Sequence, residues 1–122
     1  MVCAAPRDDT GLLSVALHDI ERHQPVEVIV LAPNLSPQAR KSAAQLRKIV
    51  EQSELNPVPG YDLPTGHFLL KAIEFSGNTA HVVGIMGPVP SRAALACGSH
   101  YDYAFAFKRG RWVSGDVQML VC

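Results

Sequence analysis

Residues 67–86 read HFLLKAIEFSGNTAHVVGIM. Two runs rich in β-branched and aromatic residues flank a central Gly77-Asn78 pair, which is typical of the two-residue II′ turn of a β-hairpin. This turn fixes the register of the strands and brings Glu74 opposite His81. The stretch therefore predicts an antiparallel hairpin with one clearly apolar face, and its strands cover residues 67–75 and 79–86.

A second hairpin is predicted around Arg109-Gly110, near the C-terminal end of the sequence. A two-residue turn there would force Arg109 to positive φ, which a residue with a Cβ atom resists. A three-residue turn that begins at Lys108 and places Gly110 at a left-handed bulge position avoids that strain. We predict this register, because it also sorts the apolar and polar side chains onto separate faces.

Two helices with a strand between them are predicted before these hairpins. Apolar spacing predicts a helix over residues 10–22, and a β-branched run between two prolines predicts a buried strand over 26–32. Ser36 and Pro37 are a strong helix start, and the second helix is predicted to run to residue 52. Its outer basic face is predicted to be solvated and carries Arg40, Lys41, Arg47 and Lys48.

This order of elements predicts one α+β domain, residues 1–122, with a flexible N-terminus over 1–9. Two N-terminal helices are expected to pack on a curved, mainly antiparallel sheet that is built from the two C-terminal hairpins.

The charge balance argues against a nucleic-acid partner and against a membrane surface. The 122 residues contain 11 Lys and Arg against 11 Asp and Glu, interleaved along the chain, so nucleic-acid binding lacks a basic patch. No apolar run approaches the roughly 18–20 residues of a membrane span, and we expect no transmembrane segment.

Val2-Cys3-Ala4-Ala5 suits the end of an export signal or a lipid-bearing cysteine. A periplasmic or exported location and a cytoplasmic one therefore both stay open.

Two groups of residues are candidates for chemistry. Glu74 and His81 form a cross-strand pair that could transfer a proton or form a solvated ion pair. In the predicted second hairpin Asp102 lies opposite Asp116, with His100 on the same face. Facing carboxylates repel unless they share a proton, bind a cation or reach water. We expect no metal and no cofactor, because no spacing motif for metal ligands is present.

A protein-binding surface is predicted at the loop 87–98 and the last hairpin. The loop is long and stiffened by prolines, and its one charge is Arg92. The predicted partner-binding residues are Arg92, Tyr101, Asp102, Arg111, Trp112 and Asp116, several of which are types enriched where interfaces concentrate energy.

The chain contains three cysteines, so at most one pair can form within it. Cys97 and Cys122 enter and leave the last hairpin, and we predict a disulfide between them if the protein is exported. Both stay reduced in a cytosolic protein.

In pattern, residues 36–122 resemble the NTF2-like and cystatin-like domains. The resemblance is carried by the antiparallel meander, by the aromatic strand of residues 100–107 and by Gly110-x-Trp112. It implies a cone-shaped fold of the kind seen in small bacterial immunity proteins. We therefore predict a non-enzymatic domain that binds and neutralises a secreted bacterial toxin or enzyme. One alternative is a small-molecule-binding or proton-transfer enzyme with a cone-shaped pocket, and another is a homodimerising accessory domain.

Overall fold

The computed structural model describes residues 7–22, 25–54, 67–86 and 99–120. These residues form an α+β fold with two helices and a six-stranded mixed sheet in the order β2-β1-β3-β4-β5-β6. The elements are α1 (Asp9–Glu21), β1 (Val28–Leu31), α2 (Pro37–Leu46), β2 (Lys48–Glu51), β3 (His67–Ser76), β4 (Thr79–Met86), β5 (Ser99–Lys108) and β6 (Arg111–Leu120), with a single 3-10 turn at Gln52–Glu54. The predicted α+β class, with helices first and antiparallel hairpins last, is confirmed.

Both helices begin where the sequence predicts, because each has a side chain that caps it. The Asp8 carboxylate accepts a hydrogen bond from the Gly11 backbone N–H at 2.9 Å. Ser36 Oγ accepts one from the Ala39 N–H at 3.2 Å, and Pro37 occupies the first turn of α2. Thr10 and Ser42 then join the helices through their hydroxyl groups, which lie 2.8 Å apart.

The predicted end of the second helix is wrong. The helix ends at Leu46, and the β-branched residues Ile49 and Val50 belong to β2, which pairs in parallel with β1. The sheet therefore has two parallel strands beyond the predicted hairpins, since β1 pairs in parallel with β3 as well. Pairing with a buried central strand outweighs the helical spacing of Val50.

The predicted solvation of the basic helix face is also wrong for two of its residues. The Arg40 guanidinium donates to the carbonyl oxygens of Ala32 and Pro33 at 2.8 and 3.0 Å and pairs with Glu51. The Arg47 guanidinium donates to the Val26 carbonyl at 3.0 Å and to Glu21 at 2.6 Å. Both side chains thus hold the segments before and after β1 against the helices, whereas Lys41 and Lys48 are exposed.

The first hairpin has the predicted register from the turn to Ala72, and a bulge between Leu70 and Ala72 shifts the pairs beyond it by one residue. Glu74 lies opposite His81 and Phe75 opposite Ala80, and Gly77 supplies the positive φ of the turn at 60°.

The second hairpin has a different turn from the one we predicted. Arg109 and Gly110 have φ of 54° and 79°, so they form a two-residue turn, and Lys108 pairs with Arg111. A bulge follows, in which Ala104 of β5 faces two residues of β6, Gly115 and Asp116.

The turn and the bulge together change the partners along β5. Asp102 lies opposite Gln118 and His100 opposite Leu120, so the predicted pair of facing carboxylates, Asp102 and Asp116, is not formed. The positive φ at Arg109 strains the turn, but the register that this turn sets buries Trp112.

The helices cover one face of the sheet, which we call the helix face, and the opposite side is the far face. The helix face and the apolar side of α1 form a single core. Its largest fully buried side chains include Phe68, Leu12, Leu13, Leu17, Ile20 and Leu70. Within the described ranges, neither helix is long and apolar enough to cross a lipid bilayer.

Candidate functional site

A groove runs between α1 and β6 on the helix face, and we call it the α1–β6 groove. The apolar residues of α1 point into the core, so its flank faces the last strand with Val15, His18, Asp19 and Arg22 at helical spacing. The groove consists of two clefts of about 560 and 630 Å³ that share Asp19 and Ser114. It extends over the length of α1, which is roughly 20 Å for 13 residues.

Two stacked tyrosines line one end of the groove. The rings of Tyr101 and Tyr103 lie 5.4 Å apart between centroids, with an interplanar angle of 19°. Beside them, Ser114 Oγ donates a hydrogen bond to the Asp19 carboxylate and connects β6 to α1. Burial raises the pKa of Tyr103 to about 12, and the nearby Tyr101 and Asp19 add to the shift. Tyr103 is therefore neutral at physiological pH and can offer a hydroxyl hydrogen bond.

The outer side of the groove is β6, an edge strand with exposed apolar residues. Val117 is 47% exposed and lies opposite Tyr103 on the helix face. Val113 is 37% exposed and lies opposite Ala106 on the far face. Among the described residues, these two are the large hydrophobic residues that the structure leaves exposed. Val117 therefore adds an apolar contact point beside the groove, whereas Val113 lies on the other face of the sheet.

The predicted partner-binding residues are divided between several places. Tyr101 lies in the groove, and Arg111 is exposed at the end near the hairpin turn. Asp116 is exposed on β6, while Asp102 lies on the far face. Arg92 lies outside the described residues, as do Cys97 and Cys122 with their predicted disulfide.

Trp112 is a core residue rather than a surface residue. It is 6% exposed, and its ring contacts Phe75 and Phe107 edge-on at 5.6 and 5.1 Å between centroids. Its Nε1 is buried, and no described residue accepts a hydrogen bond from it. Trp112 thus lines the groove from below while it fills the core.

The candidate proton-transfer residues lie on the far face, and His81 has a different partner from the one we predicted. His81 Nδ1 lies 2.7 Å from Asp102 Oδ1, whereas Glu74 lies opposite His81 in register without an ion pair to it among the described contacts. An ionised carboxylate only accepts hydrogen bonds, so Nδ1 is the donor in this contact. Both side chains are about two-fifths exposed, at 42% and 41%.

This His81–Asp102 pair is open to water, which weakens any proton transfer that depends on a dry pocket. None of its atoms lines the α1–β6 groove. His100 lies two residues from Asp102 on the same strand and pairs with Ile85 and Leu120. Across the described parts of the chain, no three His, Cys, Asp or Glu side chains come close enough together to hold a metal ion.

Sequence analysis missed the residues of α1 that line the groove. Val15, Asp19 and Arg22 follow a second helical stripe beside the buried one, and this stripe was the available signal. Nothing in the sequence indicated that Ser114 faces this stripe, because the residue reaches the helix face only through the two-residue turn.

Searches against protein-family models, curated proteins and solved structures find no match to this chain.

Proposed function

We propose that this chain is a non-enzymatic protein-binding domain that engages its partner through the α1–β6 groove. The observation that carries the proposal is the partly exposed ring of Tyr101, which stacks on the buried Tyr103 and lies with exposed Val117 at one end of the groove. Tyrosine is enriched among the residues that dominate binding energy, because it offers a large rigid surface and a polar tip. Asp19 and Arg22 add one charge of each sign at the edge of these rings.

The biological role that we propose is that of an immunity or inhibitor protein, which neutralises a secreted bacterial toxin or enzyme. Three features support this role: the small size of the domain, its balanced charge and the absence of an enclosed catalytic pocket around the described His81–Asp102 pair. A charge-balanced groove suits a protein ligand whose own charges alternate.

The test is to co-express the chain with the products of the adjacent reading frames and to measure both complex formation and inhibition. We expect a stable complex in which the activity of the partner is lost. Tyr101→Ala should weaken binding by about tenfold or more, because truncating a central aromatic residue removes buried contact area.

His81→Ala is the matched control, since it truncates a half-buried ring on the far face. It should change the affinity by less than about twofold, as expected for a residue outside the interface. Equal losses from the two substitutions would contradict the groove as the binding surface. Failure of every adjacent gene product to bind would contradict the immunity role.

A further inference from the structure

The two edges of the sheet differ in how well they are protected. The β2 edge is four residues long, carries Lys48 and Glu51 at its ends, and runs directly into the 3-10 turn. The β6 edge is ten residues long, and its charged residues are Arg111 and Asp116. Long edge strands with few charges readily pair with another strand, whereas short and charged ones resist it. Among the described strands, the edge that is open to pairing is therefore β6.

The bulge in β6 restricts which strand can pair with it. Before the bulge, the even-numbered residue Trp112 lies on the helix face, opposite Phe107. After the bulge, the odd-numbered residue Val117 lies on that face, opposite Tyr103. In a regular strand the side chains alternate between the two faces of the sheet along the whole length. Such a strand would therefore match the side-chain directions of only half of β6. A strand with the same change of alternation matches all of it.

A second copy of β6 has this change by construction. When two copies run antiparallel, the half before the bulge in one copy faces the half after the bulge in the other. In one such register Trp112 lies opposite Val117 of the second copy, and both residues are on the helix face. Val113 then lies opposite Asp116, and Arg111 opposite Gln118.

The charges of β6 are complementary in that register. Arg111 lies diagonally across from Asp116 of the second copy, at a spacing of roughly 7–8 Å between backbones that a long side chain can bridge. Two-fold symmetry repeats this ion pair, so the charged side chains of both strands are all paired. The exposed Val113 and Val117 are covered in the same step.

We propose that β6 is the interface of a homodimer in which two copies pair antiparallel, with Trp112 opposite Val117 and Arg111 diagonal to Asp116. Two six-stranded sheets then form one continuous sheet of twelve strands. Dimerisation does not depend on the immunity role, because the charges that hold it, Arg111 and Asp116, are separate from the Tyr101 ring of the proposed toxin contact. Val117 belongs to both surfaces, so the dimer and the toxin complex would each cover it.

The experiment measures the mass of the full chain by sedimentation or light scattering under reducing conditions, over concentrations up to about 1 mM. We expect a concentration-dependent dimer. Arg111→Asp and Asp116→Arg should each weaken it by about tenfold, because each change breaks two symmetric ion pairs and places like charges together. The double variant R111D/D116R exchanges the charges and should restore the wild-type dimer to within about threefold.

Lys41→Asp is the control, since Lys41 is an exposed residue of α2 and lies on an element other than the β5–β6 hairpin. It should leave the dimer unchanged. A monomer at all concentrations overturns the proposal. So does a dimer that resists both single charge changes, or one that the double variant fails to restore. Circular dichroism of each variant confirms that the fold is retained.

Discussion

At the residue scale, the positions of the aromatic side chains decide what the last hairpin does. Trp112 fills the core between Phe75 and Phe107, and Tyr103 is buried as well. Tyr101 is partly exposed and lines the groove. Sequence analysis grouped Trp112 and Tyr101 on one binding surface. The two-residue turn instead puts Trp112 directly opposite Phe107 on the helix face. One residue therefore contributes to stability and the other to the proposed binding surface.

Replacing Trp112 tests this division. Trp112→Ala should lower the free energy of unfolding by about 3–5 kcal/mol, because it leaves a cavity in the core. Trp112→Phe keeps a ring against Phe75 and Phe107 and should lower the free energy of unfolding clearly less than Trp112→Ala does. The exposed neighbour Val113→Ala should change stability by less than about 0.5 kcal/mol. Denaturant unfolding measures all three, and a small loss for Trp112→Ala would contradict the buried position.

We expect the Tyr103 hydroxyl to make the folded protein less stable at high pH. Its pKa in the folded protein is about 12, against an ordinary value of 10.0. As the pH rises, Tyr103 therefore loses its hydroxyl proton in the unfolded chain before it does so in the folded protein. Its contribution to the free energy of unfolding is complete below pH 10 and is lost as the pH rises through about 12. The whole difference between the two pKa values corresponds to at most about 3 kcal/mol of unfolding free energy.

Tyrosinate absorbance during a pH titration checks this prediction, together with denaturant unfolding at each pH. Tyr103→Phe should remove the latest-titrating tyrosine and flatten the dependence of stability on pH. Tyr101→Phe is the comparison, because it keeps the buried hydroxyl. If the late phase survives in Tyr103→Phe, the assignment is incorrect.

At the element scale, arginine side chains and a strained turn fix where helices and strands end. Arg40 and Arg47 donate to carbonyl groups around β1, and the chain between them changes from helix to strand. The turn at Arg109-Gly110 fixes the register of β5 and β6. Both features are short, but each decides the position of an entire strand.

Removing the Arg40 guanidinium should destabilise the fold. Arg40→Ala removes the charged donor to the carbonyl oxygens of Ala32 and Pro33 and the ion pair with Glu51, although the Ala32 oxygen keeps its hydrogen bond from the Leu35 N–H at 3.2 Å. The expected loss is about 2 kcal/mol of unfolding free energy. Lys41→Ala, on the exposed side of the same helix, should change it by less than about 0.5 kcal/mol. Similar losses for both variants in denaturant unfolding would show that Arg40 is a surface residue after all.

The turn predicts a stabilising substitution. Arg109 is held at φ 54°, a region that Asn adopts more easily, so Arg109→Asn should raise stability by about 0.5–1 kcal/mol. Gly110→Ala should lower it by about 1 kcal/mol or more, because φ is 79° there. Thermal unfolding of both variants, with Lys108→Asn as control, measures the effect. A three-residue turn would give no gain for Arg109→Asn.

At the scale of the whole molecule, one core joins the helices to the middle of the sheet. Phe68 on β3 lies over Gly84 on β4, and the absence of a side chain at Gly84 makes room for the ring. A Cβ atom at that position would overlap the Phe68 ring and lie 2.5 Å from the Leu69 carbonyl oxygen. The Phe68 ring therefore packs directly against the backbone of β4.

Gly84→Ala should therefore destabilise the whole domain. We expect a loss of about 1–3 kcal/mol or more, because the crowded atoms include backbone that cannot move aside. Gly115→Ala is the comparison, since its Cβ atom would meet only the Ala104 carbonyl oxygen, at 3.2 Å. Its smaller loss in denaturant unfolding would confirm that the crowding at Gly84 is specific. Equal losses would contradict it.

Local chemistry by itself determined the α+β class, both helix starts and the first hairpin. Asp8 lies at the start of α1, Ser36-Pro37 caps α2, and Gly77-Asn78 sets the register of Glu74 against His81. Each of these signals acts between residues that are close in sequence, and such signals can be read without knowing the rest of the fold.

Only the tertiary structure decided the remaining features. The segment 48–51 became a strand because a buried partner, β1, was available to pair with it. The strained turn at Arg109 was selected because it buries Trp112 and brings Ser114 to Asp19. In each case a contact between distant residues outweighed a local preference of about 1 kcal/mol. The candidate site lies between two such distant elements, α1 and β6, and no local pattern could place them side by side.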